Sequence, residues 1–136
     1  MVSLSNGVSV KAARILLLGA VFGVMGSANA ASPASVNDQA VVVHFRYGST
    51  DLKPLFALED RLESAIKSAA VGILDGDEVA ADGHDGYIYM YGPDADRLFD
   101  AIKPVLASSP FMKGARIAKR YGPPGEGTRQ VVIDFE

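Results

Sequence analysis

The densest group of chemically active side chains in this 136-residue sequence is an acidic stretch next to a histidine. Residues 75–85 hold four aspartates, one glutamate and His84. Carboxylate oxygens are the ligands that Ca²⁺ prefers. The spacing lacks the repeating acidic pattern of a calcium loop, and Gly76, Gly83 and Gly86 account for most of the stretch as turns. We therefore assign no metal ligand here, and a cation-binding role for 75–85 stays open.

Nucleophilic catalysis would need a histidine as base, and only His44 and His84 are available. His44 falls among strand-forming residues and His84 in a turn-like stretch, with no G-x-S-x-G pattern in the chain. The absence of cysteine excludes thiolate nucleophiles, disulfides and cysteine–metal sites. The glycine-rich stretch 122–128 has no predicted helix after it, as a phosphate loop requires. We expect no enzyme, no catalytic residue and no cofactor.

A second group combines tyrosines with cationic side chains in segments that alternate as strands do. Alternation in 87–91 (YIYMY) places three tyrosines on one side of a strand. Alternation in 40–47 (AVVVHFRY) places His44 and Arg46 on the side of the strand opposite Val41, Val43 and Phe45. Two arginines of 115–121 (ARIAKRY) are expected to join them. The predicted outward set is His44, Arg46, Tyr87, Tyr89, Tyr91, Arg116 and Arg120.

Tyrosine beside arginine is typical of recognition surfaces, because both offer a large contact area with a polar end. The set therefore predicts a face that binds a protein partner or a second copy of the chain. Two alternatives stay open: a solvated or self-associated face with tyrosines chosen for β-propensity, and a small-ligand face. Aromatic rows also stack RNA bases, but the RNP-type motif is absent and the net charge is −3. We expect no nucleic-acid binding.

Hydrophobic periodicity predicts the elements that carry this face. Five segments rich in β-branched and aromatic residues indicate strands; they cover 40–47, 71–80, 87–91, 115–121 and 129–135. Apolar spacings of three and four after the first and third strands indicate two amphipathic helices. The order β-α-β-β-α-β-β begins with the ferredoxin-like α+β pattern, an antiparallel sheet with two helices on one face. A less regular α+β sandwich is the alternative.

The ends of the two helices are also predicted from residue types. The first helix is expected to take a side-chain N-cap from 49–51 (STD) and to stop at Gly72. The second is expected to start at Pro93 or Asp94. Pro104 should kink or shorten it, because proline removes a helical hydrogen bond.

The N-terminal residues have the three parts of a secretory signal peptide in order. Lys11 and Arg14 precede an apolar run at 15–25 (ILLLGAVFGVM), and small residues follow at 27–30 (SANA). The apolar run is shorter than the ~20 residues that a membrane-spanning helix needs. We therefore predict cleavage before Ala31, with no stable membrane anchor afterwards.

These features predict a signal peptide at 1–30, a flexible spacer at 31–38 and a single domain at 39–136. The product would be exported and either periplasmic or secreted. Removal of two of the 13 basic residues leaves 11 against 16 acidic ones, a net charge of −5. This acidic balance also argues against nucleic-acid binding.

From about Gly72 onward the chain resembles a group of small bacterial proteins with no assigned activity. The likeness lies in 75–79 (DGDEV), 87–106 (YIYMYGPDADRLFDAIKPVL) and 115–125 (ARIAKRYGPPG). At the level of fold it is also similar to the domain of regulator of ribonuclease activity B, a cytoplasmic protein-binding inhibitor. The resemblance covers about the last half of the chain, implies the ferredoxin-like fold and supplies no catalytic residues. The signal peptide departs from a cytoplasmic regulator, so that role is not implied.

Overall fold

The computed structural model describes residues 37–136, which form five strands, two α-helices and one short 3₁₀ helix. In chain order they are β1 (Gln39–Arg46), α1 (Lys53–Ala69), β2 (Ile73–Val79), β3 (Asp85–Gly92), α2 (Ala95–Ala107), the 3₁₀ helix (Pro110–Met112), β4 (Arg116–Arg120) and β5 (Gln130–Asp134). The predicted order of strands and helices is confirmed. The predicted signal peptide at 1–30 and most of the predicted spacer at 31–38 lie outside the described residues.

The five strands form one antiparallel sheet in the order β2-β3-β1-β4-β5. Its first four strands have the ferredoxin-like arrangement, in which β1 lies between β3 and β4. β5 extends the sheet as the hairpin partner of β4 and forms one of its edges. The predicted α+β ferredoxin-like fold is therefore confirmed, and β1 is the central strand.

Both helices pack on one face of the sheet and bury an apolar stripe there. In α1 and α2 the apolar residues recur at spacings of three and four, which turns them toward the same side of each helix. Neither helix within residues 37–136 is long and apolar enough to cross a membrane. Fully buried side chains of the core include Val41, Val43, Leu62, Ile88, Met90, Ile102 and Ile117. Burial of each such side chain stabilises the fold by about 1.5–3 kcal/mol.

The N-cap position of the first helix is not one of the predicted residues 49–51, although the side chain of Asp51 still bonds the first helical N–H. The N-cap of α1 is Leu52, which cannot supply a side-chain hydrogen bond. The carboxylate of Asp51 instead accepts a hydrogen bond from the Lys53 backbone N–H at 3.1 Å. Apolar packing of Leu52 against the core positions this helix start, which a rule based on capping residues does not detect.

Gly72 does not end the first helix as predicted. The left-handed residue that closes α1 is Ala70, with φ 53°, and its N–H donates to the Lys67 carbonyl at 3.1 Å. Gly72 is required for another reason: a β-carbon there would lie 2.1 Å from the Tyr91 carbonyl oxygen. Glycine at this position permits the connection into β2 to pass against the end of β3.

The second helix begins as predicted and runs past its proline. The carboxylate of Asp94 accepts hydrogen bonds from the backbone N–H groups of Asp96 and Arg97, at 3.0 Å each. The predicted shortening at Pro104 is wrong, because α2 continues to Ala107. Pro104 and Asp100, whose carbonyl loses its helical partner, both lie on the exposed side. Water can therefore replace the missing bond.

Candidate binding face

The face of the sheet turned away from the helices, here called the open face, carries all seven predicted site residues. Opposite residues of an antiparallel pair point to the same side of a sheet. His44 lies opposite Tyr87 on one neighbouring strand and opposite Arg116 on the other. The same register places on the open face His44, Arg46, Tyr87, Tyr89, Tyr91, Arg116 and Arg120. The structure thus brings together residues that are up to 76 positions apart in the chain.

Three rings form a continuous parallel row on the open face. The imidazole of His44 stacks on Tyr87 with ring centroids 4.5 Å apart and planes at 13°. Tyr87 in turn lies parallel to Tyr89, at 6.1 Å and 12°. The Tyr89 hydroxyl donates a hydrogen bond to the Glu78 carboxylate at 3.2 Å. Each ring is packed against its neighbour, which limits the rotational freedom of these side chains.

At the end of the face opposite His44, Arg120 makes hydrogen bonds within the domain. Its guanidinium lies over the Tyr91 ring, 5.9 Å from the centroid. Its Nε donates to the Gly122 carbonyl at 2.7 Å, and a terminal nitrogen donates to the Asp38 carbonyl at 3.3 Å. These bonds fix the guanidinium above Tyr91 and tie residue 38 to the domain. Arg120 is therefore a positioning residue of the open face.

Two tyrosines of the face, Tyr89 and Tyr91, have a raised pKa, which favours their neutral form. Burial, followed by the charge of Glu78 and the hydrogen bond to it, raises the pKa of Tyr89 to about 12. Burial and the nearby Asp75 carboxylate also raise the pKa of Tyr91. Both hydroxyls therefore stay protonated further into the alkaline range than an ordinary tyrosine, and each can donate and accept hydrogen bonds.

Replacing Glu78 by glutamine should lower the pKa of Tyr89 below the value of about 12 in the wild type, because one source of the shift is a negative charge. The pKa of the folded state is raised above the ordinary 10.0. The stability contribution of Tyr89 is therefore complete below pH 10 and is lost as pH rises through about 12. NMR titration of tyrosine rings labelled at Cζ measures this, with circular dichroism to verify folding.

Asp82→Asn is the matched control for that titration, since it also removes one carboxylate. Asp82 accepts a hydrogen bond from the His84 backbone in a turn, so its loss should leave Tyr89 unchanged. A Tyr89 midpoint near 10 in the wild type would contradict the assigned environment.

The acidic stretch 75–85 is divided by the sheet instead of converging on one point. Asp77 is 2 % exposed and turns toward the helices, whereas its neighbour Glu78 lies on the open face. Asp82 belongs to the turn that follows β2. Strand alternation separates the carboxylates of Asp77 and Glu78, because adjacent residues point to opposite faces of a sheet.

The two histidines both approach Asp85. Nε2 of His44 lies 3.3 Å from the Asp85 carboxylate, and Nδ1 of His84 lies 3.9 Å from the same oxygen. Across residues 37–136, no group of three histidine, aspartate or glutamate side chains is arranged to hold a metal ion. Asp85 is therefore the carboxylate that both histidines approach at one end of the open face.

Sequence reasoning missed several members of the open face. Ile73 and Val132 are 48 % and 51 % exposed, and they lie opposite Tyr91 and Ala118, respectively. They add apolar contact area toward the two edges of the sheet. Alternation within β5 separates Val132 from its neighbours, but only the pairing with β4 shows which side of the sheet it occupies.

The chain matches no protein-family model, no curated protein and no solved structure. The resemblance to small bacterial proteins and to the domain of regulator of ribonuclease activity B therefore stays a prediction. The open face itself presents a row of parallel aromatic rings, flanking arginines and exposed apolar residues at both edges.

Proposed function

We propose that this chain is an exported, non-enzymatic interaction module of the cell envelope that binds a protein partner through the open face. The single observation that carries the proposal is the convergence of three tyrosines, His44 and two exposed arginines on a sheet face without helices. The proposed export rests on the signal-peptide pattern at 1–30.

Three physical properties of the open face support protein binding. Tyrosine and arginine are enriched among residues whose loss weakens interfaces most. The stacked row of His44, Tyr87 and Tyr89 is already ordered, which lowers the entropy cost of association. Its exposed apolar residues lie beside polar groups, the composition expected of an interface that also exists unbound. A second copy of the chain is one form that the partner could take.

The double substitution Tyr87→Ala/Tyr89→Ala should raise the Kd for the partner by roughly thirtyfold and so lower its recovery, since truncating an aromatic anchor costs an interface about 2 kcal/mol or more. The experiment uses the full-length protein with a C-terminal tag to capture proteins from its own cell envelope. Quantitative mass spectrometry compares each captured protein between the wild type and the variant. Thermal melting verifies that the variant is folded.

Lys53→Ala/Arg97→Ala is the matched control, because it also truncates two exposed side chains, at the helix N-termini away from the open face. We expect this control to recover the partner as the wild type does. Equal recovery by wild type and the tyrosine variant would refute protein binding through the open face. A captured second copy of this chain would identify the partner as itself.

A further inference from the structure

A cavity of about 570 Å³ lies at the end of the open face where β1 finishes. Its polar lining includes His44 and Arg46 from β1, Arg116 from β4, Asp134 from β5 and Lys113 from the loop before β4. Three strands and one loop thus contribute to one concave site. A volume of several hundred cubic ångströms is typical of ligand pockets and is far larger than a single small ion requires.

Positive charge is concentrated in this cavity although the surrounding domain is acidic. Residues 37–136 contain 11 of the 13 basic residues and all 16 acidic ones, a net charge of −5. The cavity instead presents three cationic side chains and a single carboxylate. A cationic cavity in an acidic domain attracts a negatively charged ligand at one defined place.

Two of the three cations are available to a ligand. Nε of Arg116 lies 3.3 Å from the Asp134 carboxylate, so this pair is partly neutralised. Arg46 and Lys113 form no ion pair with any residue of the range 37–136. Both side chains are exposed, and both line the same cavity. A carboxylate entering the cavity would therefore meet two positive charges that no ion pair within residues 37–136 occupies, although Asp85 lies opposite Arg46 on β3.

The backbone beneath the cavity is held in place before any ligand binds. Gly114 has a φ of 82° and its N–H donates to the Phe135 carbonyl at 2.7 Å. The Phe135 N–H in turn donates to the Ala115 carbonyl at 2.8 Å. These two bonds fasten the loop that carries Lys113 to the end of the chain. An ordered frame of this kind reduces the entropy cost of binding.

We propose that this cavity binds the carboxylates of an acidic peptide segment. The inference rests on the proposed function, because it assigns the charge of the protein partner. Arginine binds a carboxylate through two parallel hydrogen bonds, and lysine adds a point charge. The size of the cavity suits a peptide segment rather than a single ion, and His44 and Arg116 belong to both the cavity and the open face. A partner lying on the open face therefore reaches the cavity without a gap.

A fluorescein-labelled polyglutamate peptide is the probe, and fluorescence anisotropy with the purified full-length protein at low ionic strength is the measurement. We expect saturable binding, with polyglutamine of the same length as the uncharged comparison. Arg46→Gln and Lys113→Gln should each raise the Kd roughly tenfold, since each removes a charged partner of the carboxylates. Arg97→Gln, an exposed cation on α2 with the same change in charge, should leave the Kd within about twofold of the wild type.

Three results would overturn the inference. The first is no saturable binding of polyglutamate. The second is an equal loss of affinity in all three variants, which would mean a long-range charge effect. The third is inorganic phosphate displacing the peptide at concentrations below the peptide Kd, which would assign the cavity to a free anion.

Failure of this inference can be distinguished from failure of the proposed function. Tyr87 and Tyr89 do not line the cavity, so partner recovery and polyglutamate binding test different residues. Partner recovery that depends on the tyrosines, without polyglutamate binding, would leave the function standing and remove the acidic segment. Polyglutamate binding that depends on Arg46, with partner recovery unaffected by the tyrosine variant, would support the acidic-peptide site and refute partner binding through the open face.

Discussion

Replacing Ile88 by alanine should lower the free energy of unfolding by about 3 kcal/mol, since deletion of a fully buried aliphatic side chain leaves a cavity in the core. Ile88 is 0 % exposed, lies on β3 and points toward the helices. It lies opposite Val43 on β1, so the void would form beneath both helices. Urea unfolding followed by circular dichroism measures the change. A small domain has only about 5–15 kcal/mol of total stability.

Ile73→Ala is the matched control, because it makes the same chemical change on the adjacent strand. Ile73 is 48 % exposed and lies opposite Tyr91 on the open face. Its loss should cost less than about 1 kcal/mol, since about half of the residue stays in water in the folded state. Equal costs for the two isoleucines would mean that both faces of the sheet are covered, which contradicts an open face.

Gly92→Ala should destabilise the domain by about 3 kcal/mol, an overpacking cost caused by a forced shift of backbone. A β-carbon at this position would lie 2.2 Å from the Val71 carbonyl oxygen. A β-carbon at Gly72 would meet Tyr91 in the same way, at 2.1 Å. The two glycines thus form one close crossing between the connection into β2 and the end of β3. Neither segment can relieve the overlap by rotating a side chain, because the atoms that a β-carbon would meet are the backbone carbonyl oxygens of Val71 and Tyr91.

Gly122→Ala makes the same substitution where space is available. The nearest atom to a β-carbon there is Cγ2 of Thr128, at 3.4 Å, and Gly122 does not have a positive φ. The change should alter the free energy of unfolding by less than about 0.5 kcal/mol, as is usual for a surface position. Thermal melts of both alanine variants give the comparison. A Gly92→Ala variant as stable as Gly122→Ala would refute the close crossing.

Much of the fold was predictable because it depends on short-range patterns. The alternation in 87–91 indicated a strand with one apolar side, and the structure extends that strand to Asp85–Gly92. The apolar spacing of the first helix predicted four of the five residues that α1 buries, Leu55, Leu58, Leu62 and Ile66, but not the burial of the charged Glu59. Helix ends were predicted less well. Leu52 and Ala70 have neither a capping side chain nor the flexibility of glycine, and tertiary packing overrides the local preference there.

The membership of the open face was also accessible from alternation, whereas its internal contacts were not. The sequence predicts the same role for Arg120 as for Arg116, namely membership of the binding face. In the structure, the hydrogen bonds of Arg120 to the Gly122 and Asp38 carbonyls give it a structural role. Lys113 lies in a loop with no recognisable pattern, and only the folded chain places it in the same cavity as Arg46. The sequence shows the chemical type of a residue, but it does not show whether the side chain already forms hydrogen bonds within the folded domain.

By itself the sequence determined which segments are strands or helices and which side of each is apolar, because these properties repeat every two or every 3.6 residues along the chain. It also determined that cysteine chemistry is absent and that the domain is acidic. Only the tertiary structure determined that β1 lies between β3 and β4, which places His44 between Tyr87 and Arg116. The physical reason is that strand pairing and cavity shape depend on contacts between distant residues, and these form only when all the elements pack together.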